Sequence, residues 1–166
     1  MNTFNNTGFE KDFKTIQKQN NVYIINFDKN VLGEDAETGE KTITWKSFVY
    51  NPRKNGKSIV DNICDIINED VTYLIENCFT WNGYSIHLNK ENQMNYKAAF
   101  DLALSTNGES LPVTFRFYKN RKPELYTFDN VAELKDFYIK ANAHINKCLM
   151  NGWTKKDSIN ESDYKI

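Results

Sequence analysis

"FTWNGYSIHLNKENQMNYKAAFDLALS", residues 79–105, is the stretch on which the reading of this chain turns. Its first ten residues alternate apolar and polar around Asn82-Gly83. That dipeptide supplies the positive φ angles a type I′ turn requires, so residues 79–88 predict a β-hairpin. Asn89 stands where a helix N-cap belongs, Glu91 falls in the turn that follows, and Gly108 lies just past the end, so 90–105 predict a helix. Phe79, Trp81, Tyr84, Ile86 and Leu88 cannot all face one side of so short a ribbon. Two readings compete: a core-building ribbon that turns the chain into a helix, or a surface on which Trp81 or Tyr84 anchors another protein.

Downstream, "LPVTFRFYK" (111–119) and "ELYTF" (124–128) predict a second hairpin across "NRKP". Asp129 is placed to cap a last helix over 130–151, with Leu134, Phe137, Ala141, Ile145 and Leu149 as its apolar stripe and Gly152 as its stop. Upstream, Ser58 is placed to cap 58–78, where Ile59, Ile63, Ile66 and Ile67 repeat at three and four residues; this predicts one helix, or two meeting near 68–70. "NPRKNGK" (51–57), with Pro52 and Gly56, marks the main internal break. Before it, "NVYIINF" (21–27) and "KTITWKSFVY" (41–50) read as strands joined by a loop over 28–40. In the polar first twenty residues, Phe9, Phe13 and Ile16 fall at helical spacing, which predicts a short helix or a tail that orders on a partner.

The expected fold is therefore α+β: an N-terminal antiparallel β pair, then helices packed on two small β-hairpins. Residues 1–57 form the tail and β-hairpin segment and 58–166 the α+β core with its C-terminal helix and tail, together one compact domain. At 166 residues and 40% hydrophobic, the chain can bury one core of ordinary size.

Composition excludes some function classes. Lys+Arg at 21 against Asp+Glu at 22 leaves a net charge of -1, so no whole-molecule field draws the chain onto nucleic acid or an anionic membrane. The basic turns around Arg53, Lys54, Arg121 and Lys122 are more simply read as soluble turns than as a phosphate-binding surface. No apolar run approaches the ~18 residues of a membrane span, and "MNTFNNTGFEKDFK" lacks the basic start and apolar middle of a signal peptide, so synthesis in a cytoplasm is expected. Asn is abundant, 23 of 166 residues, which reads as an AT-rich coding background rather than as chemistry.

Cys64, Cys78 and Cys148 are odd in number and widely spaced, as expected of reduced, mostly buried thiols. His144 and Cys148, at i and i+4, have the spacing of half a metal site, but no spacing recommends Cys64, Cys78 or His87 to complete it. No Walker loop, dinucleotide-binding glycine fingerprint, H-E-x-x-H or G-x-S-x-G occurs. The reading is accordingly a non-enzymatic protein with no catalytic residue, cofactor or metal. Its candidate partner-binding residues are the aromatics Trp81, Tyr84, Trp45 and Trp153.

In "FTWNGYSIHLNKENQMNYKAAFDLA", followed by "LPVTFRFY", "YTFDNVAELKDFYIKANAHINKCLMNGW" and "DSI", the order of elements resembles a phage-borne family of unknown biochemical function. That family carries a W-N-G hairpin, an alanine-containing helix, a second hairpin and a long aromatic-bearing helix near the C-terminus. It occurs in tailed phages and prophages of gut Bacteroides-type bacteria, including crAss-like phages, often among genes for virion and tail proteins. The resemblance covers roughly residues 58–160, with Trp81, Asn82, Gly83, Phe137, Tyr138 and Trp153 as framework positions, and implies no catalytic residues. What it implies is a structural or adaptor component of a tailed-phage virion, at the tail, collar or fibre attachment, synthesised in the host cytoplasm and resident in the particle. Its partners would be other virion proteins or further copies of itself. The alternatives are a non-virion chaperone for tail or fibre assembly and, further off, a small phage enzyme or nucleic-acid-binding protein.

Overall fold

The computed structural model describes residues 2–166. Among the described residues the fold is α+β: three α-helices and eight strands in two antiparallel four-stranded sheets. The chain divides into two compact units, one holding the described residues up to Ile67 together with Thr154–Ile166, the other Asn68–Trp153. The division falls inside two helices and not at the 51–57 break, which forms a turn held by Asn51 and Asn55.

The first unit contains β1 (Thr3–Phe9), β2 (Ile16–Gln19), β3 (Val22–Glu34) and β4 (Lys41–Tyr50) in the order β1-β4-β3-β2. The expected antiparallel pair is thus the centre of a wider sheet. Residues 3–9 form a strand, each pairing with β4 from Thr3 opposite Phe48 to Phe9 opposite Thr42, and the short helix expected around Phe9, Phe13 and Ile16 is a 3-10 turn at Glu10–Asp12, after which Ile16 opens β2. The expected loop at 28–40 is mostly strand as well. β3 continues to Glu34 through two register shifts, the first at Asp28, whose φ of 55° is the left-handed kink of a bulge. The turn that follows β3 is built on Asp35, whose Oδ1 accepts from the Glu37 and Thr38 backbone N–H groups and from the Thr38 hydroxyl.

The first helix, α1 (Ile59–Asn77), is unbroken through 68–70. Ser58 starts it with reciprocal bonds: its Oγ accepts from Asp61 N–H at 3.0 Å, and its own N–H and hydroxyl donate to the Asp61 carboxylate. Ile59, Ile63, Ile66 and Ile67 are buried, and Ile63 and Ile67 line a cleft with Phe27 of β3.

In the second unit, β5 (Phe79–Trp81) and β6 (Tyr84–Ile86) form the hairpin around Asn82 and Gly83, with φ of 48° and 78°. Asn89 caps α2 (Lys90–Ser105), its side chain accepting from Asn92 N–H at 2.8 Å. β7 (Val113–Lys119) and β8 (Lys122–Phe128) form the second hairpin. The two hairpins are not separate: Ser85 pairs with Tyr118, which joins them as one sheet, β5-β6-β7-β8.

The last helix, α3 (Val131–Asp157), starts one residue later than expected, because Asn130 and not Asp129 accepts the Glu133 N–H. It also runs through Gly152. A glycine stops a helix by taking a positive φ, and Gly152 is not among the residues that do. The residues after α3 include a 3-10 turn at Glu161–Tyr164, with the Tyr164 hydroxyl 3.5 Å from the Asn26 carbonyl.

Candidate functional site

The four nominated aromatics lie in different environments. Trp81 is fully integrated into the second unit's own core, with 4% of its surface exposed. Its ring meets Tyr126 and Phe137 edge-on, centroids 5.3 and 5.4 Å apart, and Phe128 at 5.5 Å. Its indole N–H donates to Asp136 Oδ2 at 3.0 Å, and Lys140 donates to the same oxygen at 2.8 Å. The two donors, Lys140 first and Trp81 second, hold the Asp136 carboxyl below the usual Asp range. This geometry decides between the two readings of the hairpin at Trp81: the ring builds this chain's core and offers no surface to a partner.

Tyr84 is half-buried beside Phe117 and Tyr126, with the Lys119 ammonium 5.0 Å from its ring centroid. Next to it, the Tyr126 hydroxyl donates to Glu133 Oε1 at 2.5 Å, and that bond, with burial added, raises the phenol pKa. Tyr96, on α2, packs edge-on against Phe115 and Phe137, and burial pushes its pKa up to about 12. The second unit's core is an aromatic stack in which these rings position one another.

Trp153 is the exposed member, at 54%. It shares a face of α3 with Ile139 and Met150, both more than half exposed, since steps of eleven and three residues return to the same side of a helix. Elsewhere in this unit, a cleft of about 400 Å³ is floored by Leu88, Tyr96, Ala141 and Ile145 and edged by Lys90 and Met94. Its amides are engaged locally, Gln93 donating to the Leu88 carbonyl and Asn142 to the Tyr138 carbonyl, so the cleft offers an apolar floor more than a polar grip.

Trp45, in the first unit, is half-buried. Its indole N–H donates to Asn26 Oδ1 at 3.2 Å, and Phe13 meets it edge-on at 5.7 Å. Asn26 in turn donates to the Lys14 carbonyl at 2.6 Å, which ties the segment after β1 down onto the sheet. The far edge of the Trp45 ring lies over Gly8: a Cβ on that glycine would stand 3.0 Å from the ring carbon Cη2. Nothing in the one-dimensional pattern pointed to Gly8, because the contact depends on the β1–β4 register.

The half metal site is present only as a pair. Cys148 Sγ lies 3.7 Å from His144 Nε2, but that nitrogen is also 3.0 Å from the Leu74 carbonyl. A carbonyl only accepts, so Nε2 carries the proton and has no lone pair for a metal. Among the described residues no group of three or more His, Cys, Asp or Glu gathers to hold an ion. Of the thiols, Cys148 is buried and its pKa is raised by that burial, Cys64 is half-buried, and Cys78 is exposed, contrary to its expected place in the core. No helix among the described residues is long and apolar enough to cross a membrane.

No protein-family model, curated protein or solved structure matches the chain.

Proposed function

We propose that this chain is a structural or adaptor component of a tailed-phage particle, at the tail, its collar or its fibre attachment, and that it acts by forming protein–protein interfaces. The observation that carries the reading is the pair Met150 and Trp153, one turn apart on α3 and each more than half exposed, with exposed Ile139 three turns earlier on the same face. The solvent side of a helix is ordinarily polar, and an exposed Trp one turn from an exposed Met has the composition of a binding anchor. The phage setting rests on the ordered series of elements from the W-N-G hairpin to the C-terminal helix.

The reading predicts that mass spectrometry of purified particles, from a phage that encodes this chain, finds it at fixed copy number. Its absence, or a badly substoichiometric amount, would replace the virion role with that of an assembly chaperone that binds tail or fibre proteins and departs. Trp153→Ala should leave the fold intact and cost ~2 kcal/mol of binding to the particle, seen as reduced incorporation.

A further inference from the structure

Sheet edges expose unpaired backbone N–H and C=O groups, and proteins that remain monomeric blunt them. Three of the four edges here are blunted. β5 has only three residues, β2 has four and carries Lys18, and β8 opens with Lys122, Pro123 and Glu124. The fourth, β1, is different: its seven residues, TFNNTGF, contain no charge and no proline, and its outer side has no paired strand among the described residues. Phe4 and Phe9 stand exposed on it.

We propose that β1 is completed by β1 of a second copy of this chain, antiparallel, so that a two-fold homodimer forms with one sheet running through both copies. This deepens the interface reading above and rests on it only for the biological setting.

The register follows from the faces. Phe4, Asn6 and Gly8 pair with Ser47, Trp45 and Ile43 of β4 and therefore share one face of the sheet with them. A two-fold axis relating antiparallel neighbours stands perpendicular to the sheet and keeps that face common to both copies, so even-numbered residues must meet even-numbered residues. Centring the pair on Asn6 satisfies this and uses the whole of β1. Moving the centre to Asn5 or Thr7 keeps the faces but leaves two residues of each strand unpaired.

Centred on Asn6, the strand is self-complementary. Phe4 of one copy falls opposite Gly8 of the other, so an exposed ring meets the one position in β1 with no side chain. Gly8 is also where the Trp45 ring leans over the strand. Phe4 thereby reaches the Trp45 ring of the other copy across a bare backbone, an aromatic pair that no monomer can make. Thr3 meets Phe9, Asn5 meets Thr7, Asn6 meets itself, and no like charges are opposed. This gives Trp45 a partner-facing role that its half-burial in the monomer does not explain.

The test uses the full chain. Sedimentation velocity over a concentration series should show a dimer, and Phe4→Ala should weaken it. Residues directly opposed on antiparallel strands have Cα atoms about 4.5–5.5 Å apart, inside the span of about 4.4–6.8 Å that a disulfide accepts. Asn6→Cys should therefore give a covalent dimer on mild oxidation, above the background that the exposed Cys78 sets in the parent chain. Asn5→Cys, opposed to Thr7, should not. Asn6→Lys places two ammonium groups at the axis and should raise the dimer dissociation constant roughly tenfold or more, with an unchanged far-ultraviolet circular dichroism spectrum showing that the chain still folds.

A chain that stays monomeric at all concentrations overturns the proposal, as does equal cross-linking from Asn5→Cys and Asn6→Cys. A monomer whose Asn6→Lys variant no longer enters particles also overturns it, and gives the edge to a strand from another protein. A dimer absent from particles removes the virion reading and leaves the strand pairing standing.

Discussion

In the β5-β6-β7-β8 sheet, Trp81, Phe117 and Phe128 turn inward onto Phe137 of α3, with ring centroids 5.3–5.5 Å from it. In the β1-β4-β3-β2 sheet, Phe4 and Phe9 stand in solvent on an outermost strand. Both sheets end in a seven-residue strand, and β8 even exposes Leu125 more fully than β1 exposes Phe4, at 73% against 55%. Apolar exposure therefore does not distinguish the two edges; their flanking chemistry does. Lys122, Pro123 and Glu124 make β8 a poor template for another strand, whereas TFNNTGF offers an incoming strand nothing to avoid.

The inward-turned rings of the second sheet can be tested most severely at Trp81. Trp81→Ala removes a ring packed on three others together with the donor to Asp136, and should destabilise the second unit by about 3–5 kcal/mol. Hydrogen exchange should show lost protection in β5–β8. Leu125→Lys on the same sheet, at an exposed edge position, should stay within about 0.5 kcal/mol of the parent. A Trp81→Ala protein that kept its stability and lost only a binding activity would return Trp81 to the surface role its sequence context allowed.

These two positions also show what could be read before the fold was known. The turn at Asn82-Gly83, the cap at Asn89 and the limits of α2 were legible because each depends on chemistry within a few residues: a positive φ, a side-chain acceptor, a 3.6-residue period. β1 was not legible in this way. The helical spacing of Phe9, Phe13 and Ile16 leads only to the 3-10 turn at Glu10–Asp12, while the strand before it exists because Thr3 pairs with Phe48, far along the chain, and local propensity carries no record of that. The same holds for the junction of the hairpins at Ser85 and Tyr118, and for the contact of Trp45 with Gly8. Alternation assigned Trp81 to one face of its ribbon, but only the rings brought over it from β8 and α3 show which face is inside.

Two glycines sharpen the comparison at a smaller scale. In the first sheet Gly8 is needed for space, since a Cβ would meet the Trp45 ring at 3.0 Å. Gly8→Ala should cost about 1–3 kcal/mol by overpacking, and Trp45→Leu in the same chain should recover part of it, so that a double-mutant cycle reports coupling. In the second sheet Gly83 is needed for conformation: nothing lies within 4 Å of its Cβ position, but its φ is +78°. Gly83→Ala should cost roughly 1–2 kcal/mol, with no dependence on any neighbouring side chain. Coupling at Gly83, or its absence at Gly8, would exchange the two explanations.

The smallest expected effect is a pH dependence at Asp136, where the second unit's core reaches its surface. Lys140 and the Trp81 indole both donate to this carboxylate and hold its pKa below the ordinary Asp value in the folded chain. A carboxyl whose folded pKa is depressed contributes stability that is fully present above its unfolded pKa and lost as pH falls through the folded one. Denaturation midpoints for the second unit should therefore be flat at neutral pH and fall in the acid range. Asp136→Asn should flatten part of that fall. Because the group is solvent-exposed and Lys140 is a surface partner, the change should be slight beside the loss from Trp81→Ala. Lys140→Met separates the two donors: if the acid sensitivity survives it, the bond from the buried indole carries the effect, and if it vanishes, the exposed ion pair does.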